Sequence, residues 1–153
     1  MKKIMFVCTG NICRSAMADY LLKNKLEEHG LQDKCTVLSA GTYAYDGEVS
    51  TYEAISVMNE EYGIDMTSHR ATAVRSSDIA DMDLVLCMTN SHKSTLDMMH
   101  PEMKNKIYLL KEYVGGQGEI SDPYGYGFDV YRECAKEIDK CIDLLITKEF
   151  GGV

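Results

Sequence analysis

The sequence predicts an α/β fold: one domain over residues 1–153, with a four-stranded parallel sheet flanked by helices on both faces in three layers. Three observations predict it: short apolar runs alternating with amphipathic stretches, a sharp strand-to-helix turn after the first run, and a long amphipathic segment at the end. The first strand is Lys3–Cys8, carried by Ile4-Met5-Phe6-Val7, and a helix over Ser15–His29 follows, with Gly30 just past its end. The second strand is Thr36–Ala40. A helix over Tyr52–Tyr62 comes next, opened by the capping-box pattern Ser50-Thr51-Tyr52-Glu53 and closed by Gly63. Leu84–Met88 and Ile107–Leu110 are the remaining strands, separated by a helix over His92–Met99. From Asp129 to Lys148, Val130, Cys134, Ile138, Cys141 and Leu145 recur at the spacing of a helix packed on a sheet. Such alternation implies right-handed crossovers and a ligand crevice beyond the carboxyl ends of the strands.

Composition narrows the function. The net charge is −8 with no basic stripe, which argues against nucleic acid or an anionic membrane as a main partner. No apolar run approaches the roughly 20 residues that span a bilayer. The six cysteines follow no leader-like segment, so a reduced, cytoplasmic setting is expected rather than a disulfide framework.

Chemistry concentrates in Cys8-Thr9-Gly10-Asn11-Ile12-Cys13-Arg14-Ser15, where five residues separate a thiol from a guanidinium between a strand and a helix. A loop of this kind turns its amides inward, and the helix N-terminus adds positive partial charge. Both favour a thiolate at Cys8, the form that attacks. A phosphate monoester needs several donors around its equatorial oxygens, and the loop with the Arg14 fork supplies them without a metal. Gly10 would allow close backbone approach or positive φ, and Asn11 tolerates the left-handed conformation. Ser15 is placed either to cap the helix or to hydrogen-bond the Cys8 sulfur. The Gly-Lys-Ser/Thr ending of a Walker loop is missing.

A leaving group needs a proton, and Asp122 in Ser121-Asp122-Pro123-Tyr124-Gly125 is the candidate donor, held out of helical geometry by Pro123. Acid duty near neutrality requires desolvation or a neighbouring anion such as bound phosphate. Asp-Pro-x-Gly is equally a good turn sequence, and the Cys8 loop is what favours the catalytic reading.

Taken together, Val7-Cys8-x-Gly10-Asn11-Ile12-Cys13-Arg14-Ser15, Ser39-Ala40-Gly41-Thr42 and Asp122-Pro123-Tyr124 resemble the low-molecular-weight protein tyrosine phosphatases, in order and over the whole length. The resemblance implies Cys8 as a nucleophile forming a phosphocysteine, Arg14 as transition-state clamp and Asp122 as general acid and then base. It implies no cofactor, a phosphorylated protein as substrate, and inorganic phosphate or other oxyanions as inhibitors. It assigns Asn11, Ser15, Ser39 and His69 to a hydrogen-bond network holding the loop, with His69 in a Ser-His-x-Ala-like segment. Tyr45, where a tryptophan is common, and Tyr124 would form an aromatic wall, with Asp46 at the substrate entrance. Thr9, Gly10, Asn11, Ile12, Cys13 and Ser15 make up the phosphate-binding loop.

The chain departs from the family pattern at Ala16, where many relatives have proline, and at Thr89, where several have aspartate. The segments Asp83–Lys93 and Leu110–Val114 resemble the bacterial branch that includes protein arginine phosphatases. Those enzymes tend to carry a loop threonine where Ile12 stands. A branched apolar wall suits a phenyl ring and leaves a guanidinium unpaired, so Ile12 favours phosphotyrosine, with phosphoarginine as the alternative. Arsenate reductases share the nucleophile loop, and Cys87 matches the first cysteine of their relay, but the second would fall near Ser94. A non-catalytic oxyanion-binding module is the remaining possibility. Cys13 suggests a redox role, trapping an oxidised Cys8 as a disulfide.

Overall fold

Ile4, Met5, Phe6, Val7 and Cys8 are all buried, the mark of a strand covered on both faces. In the computed structural model, which describes residues 1–151, they form the body of β1 (Lys2–Cys8). There follow α1 (Arg14–Glu28), β2 (Cys35–Gly41), α2 (Tyr52–Tyr62), β3 (Leu84–Cys87), α3 (Asn90–Met99), β4 (Ile107–Leu109), α4 (Leu110–Tyr113) and α5 (Phe128–Phe150). The expected alternation and its four strands are present, paired in parallel in the order β2-β1-β3-β4. The chain leaves β1 for β2 on one side and returns past it to β3 on the other. Strand order therefore reverses beside β1, and the crevice this opens at the strands' carboxyl ends is where Cys8 sits.

Alternation along β1 splits the core. Ile4, Phe6 and Cys8 face a cluster built with α1, α2 and α5, while Met5 and Val7 face a second one. That second cluster holds Val74, Ile79, Met82, Cys87, Leu96 and Met103, from two 3₁₀ turns and the residue after the second, β3, α3 and the connection to β4. Lys25 on α1 bridges Asp139 and Asp143 on α5 at 2.8 and 2.6 Å, closing the first face from outside. Among the described residues no helix is long and apolar enough to cross a membrane.

Several local expectations are corrected. Leu110 does not end β4 but opens α4, because its buried side chain serves either element equally and a short apolar run cannot separate them. Helix α3 begins at Asn90, two residues before the expected His92: Thr89 is the N-cap, and the His92 ring completes the capping box in the place usually held by Glu or Gln. In α2 the cap is Thr51, not Ser50. The Thr51 N–H donates to the Ile12 carbonyl at 3.1 Å, which pins it at the helix start, and its Oγ1 accepts from the Ala54 N–H at 3.3 Å. On α5 the buried stripe runs through Tyr131, Cys134, Ala135, Ile138, Cys141, Ile142, Leu145 and Ile146. Val130 falls just outside that stripe and is 41% exposed, its expected place being taken by Tyr131. The expected glycine stop at Gly63 is observed, with φ 65° and its N–H bonded to the Asn59 carbonyl.

Candidate active site

The turn from β1 into α1 takes five residues, and its shape hangs on Asn11, the one non-glycine residue with positive φ among those described, at 57°. Asn11 is fully buried and uses every polar group it has. Its backbone N–H donates to Cys8 Sγ at 3.3 Å, and its Nδ2 donates to Ser15 Oγ at 2.8 Å. Its Oδ1 accepts from the Thr72 N–H at 3.0 Å, and its carbonyl accepts from His69 Nε2 at 2.8 Å. The left-handed turn is thus held from the loop, from α1 and from the 67–73 segment together.

Ser15 settles the choice left open by the sequence: it does not cap α1, and its Oγ lies 2.9 Å from Cys8 Sγ. Ser15 accepts from Asn11, and its one proton is within reach of both the Ala40 carbonyl and Cys8 Sγ; a thiolate at Cys8, which can only accept, draws it to the nearer sulfur. His69 is buried and packs edge-on against the Tyr20 ring at 5.7 Å. Ser39 lies outside this network. Its hydroxyl donates to the buried Asp19 Oδ2 at 2.7 Å, tying β2 to α1, and Asp19 is paired in turn with Lys23 at 2.9 Å. The loop contact from β2 comes instead from the Ala40 carbonyl, 3.4 Å from Ser15 Oγ.

Gly10 has no positive φ, and a Cβ there would meet only the flexible end of Ile12 at 3.4 Å. The close approach is at Gly41, where a Cβ would stand 2.3 Å from the Thr9 carbonyl oxygen, 2.9 Å from Ala44 Cβ and 3.0 Å from the Asn11 nitrogen.

Cys8, Thr9, Gly10, Ile12, Cys13, Arg14, Asp122 and Tyr124 line one cavity of about 180 Å³. Arg14, first residue of α1, is buried beneath it: Nη1 donates to the Ile120 carbonyl at 2.9 Å, Nη2 lies 3.4 Å from Thr9 Oγ1, and Nε is buried with no partner among the described residues. A guanidinium edge and the N-terminal end of α1 thus meet at the cavity, an arrangement suited to a tetrahedral oxyanion. The Asp122 carboxylate, about half exposed at the mouth, stands 3.7 Å from Arg14 Nη2. Its Oδ1 accepts from the Tyr124 N–H at 3.1 Å, fixing the turn that Pro123 begins. Ile120 anchors that long loop, its N–H on the Met88 carbonyl at 2.9 Å and its own carbonyl on Arg14.

The cavity does not include Tyr45, which is exposed and lines a neighbouring depression with Thr42, Tyr43, Ala44 and Arg75. Asp46 is exposed, and its carboxylate is engaged by the 73–76 segment rather than left free at an entrance, accepting from the Ala73 N–H at 2.6 Å and from Ser76 Oγ at 2.7 Å, bonds that hold its carboxyl below the usual range. All six cysteines are free and buried. Burial, then the Cys8 charge and Asp122, push the Cys13 thiol up to about 12. Cys87 belongs to the cluster on the opposite face of the sheet from Cys8, and burial pushes it up to about 12, a poor place for a relay thiol.

Sequence reasoning missed His92. Its buried ring bonds Thr9 Oγ1 through Nε2 at 2.8 Å, and burial followed by the Arg14 charge lowers it to about 4. The only local signal was a histidine three residues after Thr89, where a capping residue belongs.

A model of the family described as low molecular weight phosphotyrosine protein phosphatase matches residues 3–150. A protein-arginine-phosphatase of Geobacillus stearothermophilus is 40% identical over 147 residues, 95% of this chain and 95% of that protein. The low molecular weight protein-tyrosine-phosphatase PtpB of Staphylococcus epidermidis (strain ATCC 35984) is 35% identical over 146 residues, 95% of this chain and 98% of that protein. The crystal structure of a low molecular weight protein tyrosine phosphatase from T. tengcongensis matches with a TM-score of 0.91 and 42% identity, covering 97% of this chain and 99% of that one. Sequence and backbone agree over nearly the full length, and the chain accordingly belongs to the low molecular weight phosphotyrosine protein phosphatase family, enzymes that take phosphoryl groups from proteins.

Proposed function

We propose that the protein hydrolyses phosphotyrosine in proteins through a phosphocysteine. Cys8 Sγ attacks phosphorus in line as the phenolate leaves, with Asp122 giving that oxygen a proton and Arg14 spanning the equatorial oxygens. Asp122, now a carboxylate, takes a proton from the water that attacks the phosphocysteine, releasing inorganic phosphate and Cys8. Phosphate and like oxyanions occupy the same cradle as inhibitors.

The observation that carries the substrate choice is Ile12 in the cavity wall, with the Tyr124 ring at the rim and the Thr9 hydroxyl already engaged by His92. Apolar contact rewards a phenyl ring, whereas a phosphoguanidinium entering there leaves N–H groups unpaired. The second reading, protein arginine phosphatase, is supported by the 40% identical relative of that name. Wild-type protein should show higher kcat/KM on phosphotyrosine than on phosphoarginine peptides, and Ile12→Thr should move the ratio toward phosphoarginine by about tenfold or more. A wild-type preference for phosphoarginine would overturn the tyrosine reading and leave the mechanism standing.

The redox role of Cys13 is a companion proposal. Peroxide converts the Cys8 thiolate to a sulfenic acid, and the Cys13 sulfur displaces its hydroxyl as water, leaving a disulfide. Both thiols line one cavity, and oxidation of Cys8 removes the charge that helps keep Cys13 protonated. After peroxide, dithiothreitol should restore wild-type activity but not that of Cys13→Ala. Full recovery of Cys13→Ala would contradict the role.

A further inference from the structure

The buried His92 ring has both nitrogens engaged, and only one of them serves its own helix. The Thr89 N–H donates to Nδ1 at 3.2 Å, so Nδ1 carries a lone pair and the ring proton is on Nε2. That proton faces Thr9 Oγ1 at 2.8 Å, a residue 83 positions away in sequence and on the wall of the Cys8 cavity. The cap on α3 needs Nδ1 alone; the Nε2 bond adds nothing to it.

We propose that His92 is a positioning residue for the phosphatase reaction: through Nε2–H it holds the Thr9 hydroxyl as the second anchor of the Arg14 guanidinium, beside the Ile120 carbonyl. The proposal rests on the reading of Arg14 as clamp. A hydroxyl has two acceptor sites and one proton. With one acceptor site taken by His92, the other faces Arg14 Nη2 at 3.4 Å, and the hydroxyl proton is turned away from the guanidinium. Two points then fix the plane of the guanidinium, Nη1 on Ile120 and Nη2 on Thr9, so that the unpartnered Nε edge is presented in one orientation. Without His92 the Thr9 side chain loses the donor that fixes its rotamer, and its oxygen is free to swing out of reach of Arg14. The ring does this as a neutral group, since burial and the Arg14 charge keep it from gaining a proton. A positively charged ring would place an N–H against the Thr89 N–H and break the cap.

The test compares Thr9→Val, His92→Phe, the double variant and His92→Gln, which keeps a donor at similar reach. Readouts are kcat and KM on p-nitrophenyl phosphate, with thermal midpoints measured alongside. Thr9→Val and His92→Phe should each lower kcat by about tenfold, the scale of one lost hydrogen bond to a charged group. The double variant should be no worse than the worse single one, and His92→Gln should recover most of the rate. Additive losses in the double variant, or wild-type kcat in Thr9→Val, would overturn the proposal. Thr9→Val decides the question even if His92→Phe does not fold. Arg14→Lys separates the two readings: collapse of kcat there with Thr9→Val unaffected removes only the His92 role, whereas full activity in Arg14→Lys removes the clamp beneath it.

Discussion

Serine in place of Cys8 should abolish turnover, with kcat falling by on the order of 10⁵ or more, while inorganic phosphate still binds. A hydroxyl is a weaker nucleophile than a thiolate and no neighbour is free to take its proton: Ser15 is a hydroxyl itself, His69 and His92 bond elsewhere, and Asp122 must be protonated in the first step to serve the leaving group. The oxyanion donors are untouched by the change, because Arg14 is held by Ile120 and the loop by Asn11. Calorimetry with phosphate should therefore give a dissociation constant within a few-fold of the wild type, on the view that recognition and bond-making use different groups. Residual turnover near the wild-type rate would remove Cys8 from the mechanism.

Gly41→Ala should be the most damaging substitution at a residue that takes no part in the chemistry. The added methyl meets two backbone atoms and a Cβ, none of which can swing aside, at 2.3, 3.0 and 2.9 Å. Gly41 is also locked in place, paired with Cys8 in the sheet and donating its N–H to the Thr72 carbonyl at 2.9 Å. The loop must move, and the expected cost is about 2–3 kcal/mol of stability, the range for overpacking. Displacing Thr9 and Asn11 by even a fraction of an ångström misplaces the sulfur, so kcat/KM should fall by about 10²-fold. Urea unfolding and steady-state kinetics on one preparation test both halves. Gly10→Ala should unfold closer to wild type, since its methyl meets only the pliable Ile12 side chain.

That contrast shows where the sequence was legible. β1, its loop and the start of α1 are one continuous stretch, and a thiol, a guanidinium and a left-handed Asn at those offsets declare their geometry locally. What sequence could not supply were contacts made across the sheet. Which glycine is crowded depends on β2 lying beside β1, so Gly10 attracted attention that belonged to Gly41. Ser39 sits beside the site in the chain, but strand alternation turns its hydroxyl to Asp19 on α1. Tyr45 is near the loop yet lines a different depression. His92 was hidden for a related reason: a histidine near a helix start carries no sign that its far nitrogen reaches a loop more than eighty residues earlier. Val130 and Leu110 failed more simply, each standing at the border between two equally apolar assignments.

The most direct test of the central idea, that sulfur at position 8 carries the phosphoryl group, is rapid acid quenching during turnover followed by peptide mass mapping. Asp122→Asn, which lacks the base for the second step, is the protein to use, with p-nitrophenyl phosphate as substrate because its leaving group departs without the acid that the variant also lacks. A single phosphoryl group on the peptide containing Cys8, absent when Cys8 is also replaced by alanine, is the predicted result. Burst release of product with no phosphorylated Cys8 peptide, or the label on any other residue, would contradict it.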